Sequence, residues 1–238
     1  MIIIPARLKS TRFKNKILCK IGDTPMFIKT ALNAKKVDQT IIAVDDENVL
    51  KIAQDYGFKA ILTNKNHQSG TDRLNETAKI LNLKDDEIII NLQADEPFFE
   101  IENLEKFRNF ATKKIQNGSF MASAYKKISK TDAIEPNLVK VILDNFKDAI
   151  YFSRAKIPFE REEFDEYFGH IGIYAYSVKN LDEFCNFPPS ILENTEKLEQ
   201  LRAISQGKKI AMCEIKTKSI GIDSEDDLKR ALKFFNIY

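Results

Sequence analysis

The chain has 238 residues, of which 43% are hydrophobic and 30% are charged, and its formal net charge is only +2. A chain of this length buries roughly 70% of its unfolded surface, and its composition is too apolar for a disordered protein. The near-neutral charge argues against the strongly positive surface that nonspecific nucleic-acid binding needs, and no segment approaches the roughly 20 apolar residues of a membrane span.

The first half of the chain alternates short apolar segments with helical patterns. The predicted strands carry the sequences MIIIPA, TIIAVDD, FKAILT and EIIINLQAD, and the predicted helices span residues 25–36, 47–56, 71–81 and 101–115. Apolar strands between amphipathic helices are typical of a mainly parallel sheet that is covered on both faces. This half therefore predicts a three-layer, doubly wound α/β fold.

The second half is richer in strands. The predicted strands are MASAYKKI, LVKVILD, AIYFS, HIGIYAY and KIAMCEIK, and the predicted helices span residues 177–185, 193–205 and 224–235. No Gly-, Ser- or Pro-rich linker and no internal repeat divides the sequence. We therefore expect a single domain over residues 1–238 with a mixed, mainly parallel sheet. A small antiparallel, strand-rich extension at about 120–176 is expected to form a dimer surface.

A cluster of cations follows the first predicted strand. The segment from Met1 to Gly22 contains no acid and six cations, which are Arg7, Lys9, Arg12, Lys14, Lys16 and Lys20. A loop that leaves the carboxyl end of a strand is where α/β folds bind ligands, and Arg and Lys side chains there can neutralise a triphosphate. The glycine spacing of a P-loop is missing. A solvated basic loop is the alternative interpretation.

Polar residues follow a second apolar strand in the segment NLQADEPF. Gln93, Asp95 and Glu96 come after EIIINL, where side chains face the ligand crevice of such a sheet. Magnesium prefers one or two carboxylate oxygens together with substrate phosphates, so Asp95 is a candidate metal ligand. Alternatively, Asp95 and Glu96 cap the following helix.

Two further segments combine small or acidic residues with the start of a helix. In HQSGTDRL, Ser69 and Gly70 precede a helix that carries Arg73. Small residues let a ligand approach the backbone closely, but Ser69 also suits a helix cap. In GIDSEDDL, Asp223 stands before the predicted N-cap Ser224 and is either a helix-terminus acid or a second metal ligand.

Eight segments in a fixed order give the sequence a specific resemblance over nearly its whole length. They are IPARLKSTRFKNK, HQSGTDR, NLQADEPF, PNLVKVILD, YFSRAKIPF, HIGIYAY, LEQLR and GIDSEDDL. With these segments the chain resembles the Kdo cytidylyltransferases (CMP-Kdo synthetases), which activate 3-deoxy-D-manno-octulosonate (Kdo) for lipopolysaccharide assembly. The resemblance implies the nucleotide-diphospho-sugar transferase type of α/β fold, a cytoplasmic homodimer, CTP and Kdo as substrates, and magnesium (Mg2+) as cofactor.

The resemblance also implies a role for each matching residue. The catalytic set is Arg7 and Lys16 on the triphosphate and Asp95 and Asp223 on the metal ion. The further residues implied in CTP binding are Arg12, Ser69, Gly70, Arg73 and Gln93. The residues implied in the sugar-acid pocket are Arg154, His170, Tyr174, Glu199 and Gln200.

The chemistry of the proposed pocket residues is consistent with binding of a sugar acid, but structural roles are alternatives for some of them. The guanidinium of Arg154 can bind the sugar carboxylate as a fork. His170 and Tyr174 lie four residues apart and therefore on the same face of a strand, where packing is the alternative role. Glu199 can instead pair with Arg202 on a helix surface.

Two positions depart from the family pattern. Lys14 and Asn15 stand where the family usually has Pro-Gly, and Ala94 stands where it usually has Gly. Asn tolerates the left-handed backbone conformation at modest cost, whereas Ala94 does not adopt it comfortably. The charged residues of both loops are retained, and the shape of the loops stays open.

The implied reaction is an in-line attack of the anomeric hydroxyl of Kdo on the α-phosphorus of CTP, without a protein nucleophile or an obligatory general base. Two alternatives remain: activation of another acidic sugar, such as a sialic-acid-like nonulosonate or an amino-Kdo variant, and a non-catalytic nucleotide-binding or regulatory module. Retention of both aspartates and of Lys16 disfavours the second. Three widely spaced cysteines without a CxxC pair suit a reducing cytoplasm.

Overall fold

The computed structural model describes residues 1–8 and 13–237. The strands are β1 (Ile2–Ala6), β2 (Lys20–Ile21), β3 (Thr24–Pro25), β4 (Thr40–Val44), β5 (Lys59–Leu62), β6 (Ile88–Asn91), β7 (Met121–Ile128), β8 (Lys140–Leu143), β9 (Ala149–Ser153), β10 (Tyr167–Ser177) and β11 (Ile210–Glu214). The helices are α1 (Met26–Ala34), α2 (Glu47–Asp55), α3 (Gly70–Ile80), α4 (Ile101–Gln116), α5 (Val178–Asn186), α6 (Ile191–Glu196), α7 (Leu201–Ser205) and α8 (Glu225–Phe234). Short 3-10 turns cover Lys16–Leu18 and Asp132–Ile134.

The chain divides into two compact units. The first unit combines Met1–Lys106 with Thr217–Tyr238, and the second is Phe107–Lys216. Strands β7 to β10 lie in the second unit and cover the region where the strand-rich extension is expected. The description of the chain as one domain with an extension stays a prediction. No helix formed by the described residues is both long and apolar enough to cross a membrane.

A parallel sheet forms the centre of the first unit. Strand β1 pairs in parallel with β4 and with β6, and β4 pairs in parallel with β5. Every residue of β1 and β4 is buried, as expected for strands that are covered on both faces. Because parallel strands end at the same edge, the segments after β1, β4, β5 and β6 all begin at one edge of this sheet.

The carboxyl-terminal segment joins the first unit through an apolar cluster. Helix α8 contributes Ala231 and Leu228 to a cluster that also contains Met26 and Ile222. The rings of Phe98 and Phe235 stack with their centroids 4.2 Å apart. This packing places the residues just before α8 beside the segment that follows β6.

The second unit has a mixed sheet. Strand β10 pairs antiparallel with β7 and with β8, β8 pairs antiparallel with β9, and β11 pairs in parallel with β7. The register between β10 and β7 shifts between Ile171 and Tyr174. Such a bulge bends a strand locally and re-aims its side chains.

The predicted continuous helix over residues 193–205 is wrong. Helix α6 ends at Glu196, and Lys197 adopts a left-handed conformation with φ 53°. Helix α7 begins only at Leu201. Glu199 and Gln200 therefore lie in the connection between two short helices and not on one long helix.

Candidate active site

The residues at the carboxyl edge of the first unit's sheet are joined by hydrogen bonds. Arg7 and Leu8 follow β1 directly, and Asp45 follows β4. The backbone amide of Leu8 donates a hydrogen bond of 2.9 Å to Oδ1 of Asp45. Asp45 therefore holds the beginning of the basic loop. Arg12, which sequence reasoning places on the triphosphate, lies outside the described residues.

Arg73 lies beneath this edge and contacts the second oxygen of Asp45. Its side chain on α3 is 1% exposed, and its Nη2 atom lies 3.3 Å from Oδ2 of Asp45. Its Nη1 atom donates a hydrogen bond to the hydroxyl of Thr63. Burial lowers the pKa of Arg73, although the charge of Asp45 opposes this shift. In this arrangement Arg73 supports the basic loop through Asp45, and a direct contact of Arg73 with the nucleotide stays a prediction.

The three residues that we call the charged cluster, Lys16, Asp95 and Asp223, meet in the first unit. The ammonium of Lys16 lies 2.5 Å from Oδ2 of Asp95 and 2.8 Å from Oδ1 of Asp223. It also donates to the carbonyl of Ile222 at 3.2 Å. Burial alone would lower the pKa of Lys16, but the charges and hydrogen bonds of both aspartates outweigh burial and raise it. Lys16 is therefore held as a cation between two carboxylates.

The backbone before Lys16 explains one departure from the family pattern. Asn15 adopts a left-handed conformation with φ 55° and ψ 30° and is followed by the 3-10 turn that carries Lys16. Asn is one of the residues that tolerate this conformation, so Asn15 can replace the glycine that the family usually has at this position. Ala94 does not have a positive φ, so its methyl group causes no backbone strain.

Hydrogen bonds from two segments bring Asp223 to Asp95. The amide of Ile222 donates to the carbonyl of Asp95 at 3.0 Å. The N-cap of α8 is Ser224, which forms a capping box with Asp227. Asp95 lies six residues before α4 begins, so the alternative role of Asp95 as a cap of that helix is wrong. Both aspartates direct a carboxylate oxygen to Lys16.

The segment HQSG forms the start of α3. Ser69 is the N-cap and forms a capping box with Asp72, which confirms the capping alternative for Ser69. A Cβ atom added at Gly70 would lie 3.2 Å from Cγ of Pro5 and 3.7 Å from Oε1 of Gln93, so the helix start approaches both closely. Gln93 donates to Oδ1 of Asn91 at 2.8 Å. Contacts of Ser69, Gly70 and Gln93 with the nucleotide stay predictions.

In the second unit, the bulge in β10 brings together a group that we call the neutral cluster, which is Ser123, His170, Tyr174 and Gln200. The ring centroids of His170 and Tyr174 lie 5.5 Å apart, so the expected common face is observed. Nε2 of His170 lies 2.9 Å from the hydroxyl of Ser123. Burial lowers the pKa of His170 to about 3 and raises the pKa of Tyr174, to which the charge of Glu199 also contributes. Both side chains are therefore neutral at physiological pH.

Gln200 carries a buried side-chain donor that has no acceptor among the described residues. Its side chain is 2% exposed, and its Oε1 accepts a hydrogen bond of 3.2 Å from the hydroxyl of Tyr174. Within the described part of the chain its Nε2 atom is buried and makes no hydrogen bond. A buried amide donor without an acceptor is costly, and a bound polar ligand would satisfy it. The predicted pair of Glu199 with Arg202 is present at 3.8 Å.

Arg154 is held by main-chain carbonyls. Its Nε donates to the carbonyl of Glu196 at 2.8 Å, and its Nη1 donates to that of Pro136 at 3.2 Å. Its own carbonyl accepts from the ammonium of Lys140 at 2.6 Å, and the Lys140 residue is fully buried. Burial lowers the pKa of Lys140. Nη2 of Arg154 also donates to the carbonyl of Lys197 at 3.5 Å, so the contacts hold the guanidinium itself. Contact of this guanidinium with a sugar carboxylate stays a prediction.

Sequence reasoning missed three polar residues of these sites. Asp45 follows a buried strand just as Asp95 does, so the same signal was available for it. Lys140 stands within the apolar run LVKVILD, and a lysine inside an apolar strand indicates a buried, hydrogen-bonded charge. Ser123 gives no signal, because a serine in MASAYKKI is ordinary for a strand.

The prediction of a metal site can be compared with the carboxylate oxygens that the structure brings together. Two carboxylate oxygens contact one ammonium nitrogen, so both can face a single cation, and hard oxygen ligands suit Mg2+. Among residues 1–8 and 13–237 no group of three or more His, Cys, Asp and Glu side chains is arranged to hold a metal ion. The described residues therefore fit a metal ion that takes two protein ligands and completes its shell with substrate and water, as Mg2+ commonly does.

Comparison with known proteins defines the class of this fold and site. The model of the family described as cytidylyltransferase matches residues 1–210. A solved structure of CMP:2-keto-3-deoxy-manno-octonic acid synthetase complexed with CTP superimposes with a TM-score of 0.91 at 34% identity, over 99% of this chain and 97% of that one. This similarity confirms the predicted α/β class with a mixed, mainly parallel sheet, and it places the chain among the nucleotidyltransferases.

Curated relatives narrow the class to one family. The 3-deoxy-manno-octulosonate cytidylyltransferase of Wolinella succinogenes is 50% identical over 99% of both chains. The enzyme of the same name from Nitratiruptor is 51% identical over 97% of both chains. The chain belongs to the 3-deoxy-manno-octulosonate cytidylyltransferase family, which confirms the resemblance seen in its sequence segments.

Proposed function

We propose that the chain transfers CMP from CTP to the anomeric hydroxyl of Kdo, which gives CMP-Kdo and pyrophosphate and activates the sugar for lipopolysaccharide synthesis. Identity of about 50% to Kdo cytidylyltransferases over the full length supports this reaction. The observation that carries it is the charged cluster, in which one lysine and two aspartates meet at the carboxyl edge of a parallel sheet. This is the edge at which α/β folds bind their ligands.

Asp95 and Asp223 are the residues that would hold Mg2+. When bound, the ion neutralises phosphate charge and lowers the pKa of the attacking hydroxyl. Arg7, Arg12 and Lys16 would bind the triphosphate as cations. A fixed positive charge there stabilises the pyrophosphate as it leaves.

The chain's own side chains position the reactants and need not take up a proton. Neither His170 nor Tyr174 ionises readily near neutral pH, because burial lowers the pKa of the first and raises that of the second. We therefore assign no obligatory general base. Positioning and neutralisation of charge carry the in-line transfer.

The sugar-acid pocket comprises Arg154, His170, Tyr174, Glu199 and Gln200. Its support is the buried Nε2 donor of Gln200, which makes no hydrogen bond among the described residues and can donate to an oxygen of the sugar. Arg154 would direct its guanidinium to the sugar carboxylate. In the structure this guanidinium donates to the carbonyls of Glu196, Pro136 and Lys197. The pocket thus offers both charged and neutral donors to a polyhydroxy acid.

We also propose that the protein is a homodimer that works in the cytoplasm. The exposed apolar side chains of the strand-rich region support a dimer contact there, since Ile134, Phe146, Ile150 and Phe159 are between 53% and 87% exposed. No disulfide joins Cys19, Cys185 and Cys213, which suits a reducing compartment. Sedimentation at micromolar concentration is expected to give a dimer, and a monomer would contradict the assembly.

The discriminating experiment is a substrate panel. Pyrophosphate release is measured with CTP, UTP, ATP and GTP, each against Kdo and a sialic acid, with Mg2+ and with a chelator. We expect pyrophosphate release when CTP, Kdo and Mg2+ are all present. A preference for sialic acid would favour another acidic sugar, and no release with any pair would favour a non-catalytic nucleotide-binding protein.

A further inference from the structure

The hydroxyl of Ser123 lies between the ring of His170 and the bulge of β10. Ser123 is fully buried, and its Oγ lies 2.8 Å from the carbonyl oxygen of Ile173 and 3.4 Å from that of Ile171. The same Oγ lies 2.9 Å from Nε2 of His170. One hydroxyl thus meets carbonyl oxygens on one side and a ring nitrogen on the other.

The number of hydrogen atoms decides the direction of these bonds. A hydroxyl has one hydrogen to donate, and a carbonyl oxygen can only accept. If Ser123 donated to His170, the carbonyl of Ile173 would lose this partner in a place that water does not reach, which is costly. Ser123 therefore donates to Ile173 and accepts from His170, so Nε2 of His170 carries the ring proton.

This assignment leaves Nδ1 of His170 with its lone pair. Nδ1 makes no hydrogen bond to another residue in the described ranges 1–8 and 13–237. A carboxylate has no hydrogen to give to this nitrogen, whereas a sugar hydroxyl has one. Gln200 offers a ligand a donor instead of an acceptor, because its Oε1 already accepts from Tyr174 whereas its Nε2 makes no hydrogen bond among the described residues.

We propose that Ser123 is a positioning residue for the sugar substrate, because it fixes the Nε2-protonated form of His170. The unprotonated Nδ1 then accepts a hydrogen bond from a hydroxyl of the sugar acid, and the carboxylate of the sugar binds elsewhere in the pocket. The inference rests on the proposed function, since it assigns the polarity of the same pocket. Ser123 itself touches no substrate in this account. It acts through the His170 ring and the bulge that carries the ring.

The test combines a spectrum with kinetics. Nitrogen-15 NMR of the protein without a histidine tag reports which ring nitrogen carries the proton, and the His67→Gln background leaves His170 as the only histidine. We expect a protonated Nε2 and an unprotonated Nδ1 in this background. Ser123→Ala should give a mixture of both forms, and Ser123→Thr, which retains the hydroxyl, should keep the wild-type form.

Steady-state kinetics distinguish an effect on sugar binding from an effect on nucleotide binding. In Ser123→Ala the KM for Kdo should rise about 2- to 13-fold, the worth of one neutral hydrogen bond of about 0.5 to 1.5 kcal/mol, while the KM for CTP stays unchanged. Ser123→Thr should restore the KM for Kdo toward the wild-type value. A thermal melt of each variant shows that it is folded.

Three results would overturn the inference while the enzyme still uses Kdo. They are a protonated Nδ1 in the protein that retains Ser123, a Ser123→Ala variant whose KM for Kdo is unchanged, and a variant that weakens CTP and Kdo equally. The first needs no change at Ser123, so it decides the question even if the alanine variant does not fold. Wild-type protein that is inactive with Kdo would instead overturn the proposed function, and the spectrum would still decide whether Ser123 fixes the ring.

Discussion

The charged cluster of the first unit and the neutral cluster of the second use different interactions. Lys16, Asp95 and Asp223 are joined by two ion pairs, and the Asp223 side chain is 50% exposed. The neutral cluster has two hydrogen bonds between uncharged groups, Ser123 with His170 and Tyr174 with Gln200, and the rings of His170 and Tyr174 connect the two pairs. Gln200 is 2% exposed. Under the proposed function, the charged cluster acts on the triphosphate and its metal ion through charge, and the neutral cluster acts on the sugar hydroxyls through the direction of its hydrogen bonds.

The strongest test of the charged cluster removes a carboxylate charge and keeps its volume. Asp95→Asn and Asp223→Asn should each lower kcat by about 100-fold or more, because each removes a candidate metal ligand at which transition-state charge is stabilised. Initial rates of pyrophosphate release measure this effect, and circular dichroism tests the fold. The matched control is Asp226→Asn, whose side chain lies in the first turn of α8 and is 88% exposed. Turnover within a few-fold of wild type in either variant would remove that aspartate from the metal site.

The next test concerns Arg154, the cation that is expected to bind the sugar carboxylate. Arg154→Lys keeps the charge but loses the fork, which is worth about 1.5 to 3 kcal/mol, so the KM for Kdo should rise roughly 10- to 150-fold while that for CTP moves little. Arg161→Lys on the exposed surface is the control. Because the guanidinium of Arg154 also donates to three main-chain carbonyls, the melting temperature is measured in parallel. Equal weakening toward both substrates would place Arg154 on the triphosphate.

A smaller effect is expected at Asp45, whose charge acts on nucleotide binding only indirectly. Asp45→Asn leaves an acceptor for the amide of Leu8 but removes the charge that faces buried Arg73, so unfolding should become easier by about 1 to 3 kcal/mol. The KM for CTP should rise several-fold because the residue that accepts from Leu8 loses its ion pair with Arg73, and the KM for Kdo should not change. Denaturant unfolding and steady-state kinetics measure the two effects, with exposed Asp55→Asn as the control. A variant that affects Kdo alone would break the division between the two clusters.

The sequence predicted the first unit well because its signals are local. Buried apolar strands and amphipathic helices gave the elements to within a few residues, and the acids after β6 marked one edge of the sheet. The prediction failed at residues 193–205, where Lys197 is left-handed without the glycine that usually marks such a residue. A lysine in an otherwise helical pattern gives no sign that the helix ends.

The sites were predictable where one residue type carries the chemistry. Asp95, Asp223 and Lys16 stand in segments whose charge and position are evident, and the structure brings them together. The role of Ser123 depends on a bulge in a neighbouring strand and on the direction of one hydroxyl. Neither feature is encoded in the spacing of residues along the chain, so only the three-dimensional arrangement gives it.

The most direct test of the division between the clusters is a crossed comparison of two variants. The KM values for CTP and for Kdo are measured by pyrophosphate release for Arg7→Gln, which changes the exposed cation after β1, and for His170→Gln, which changes the neutral cluster. We expect Arg7→Gln to raise the KM for CTP alone and His170→Gln to raise the KM for Kdo alone. If each variant weakens both substrates equally, or if the two effects are exchanged, the assignment of charge to the nucleotide and of neutral hydrogen bonds to the sugar is contradicted.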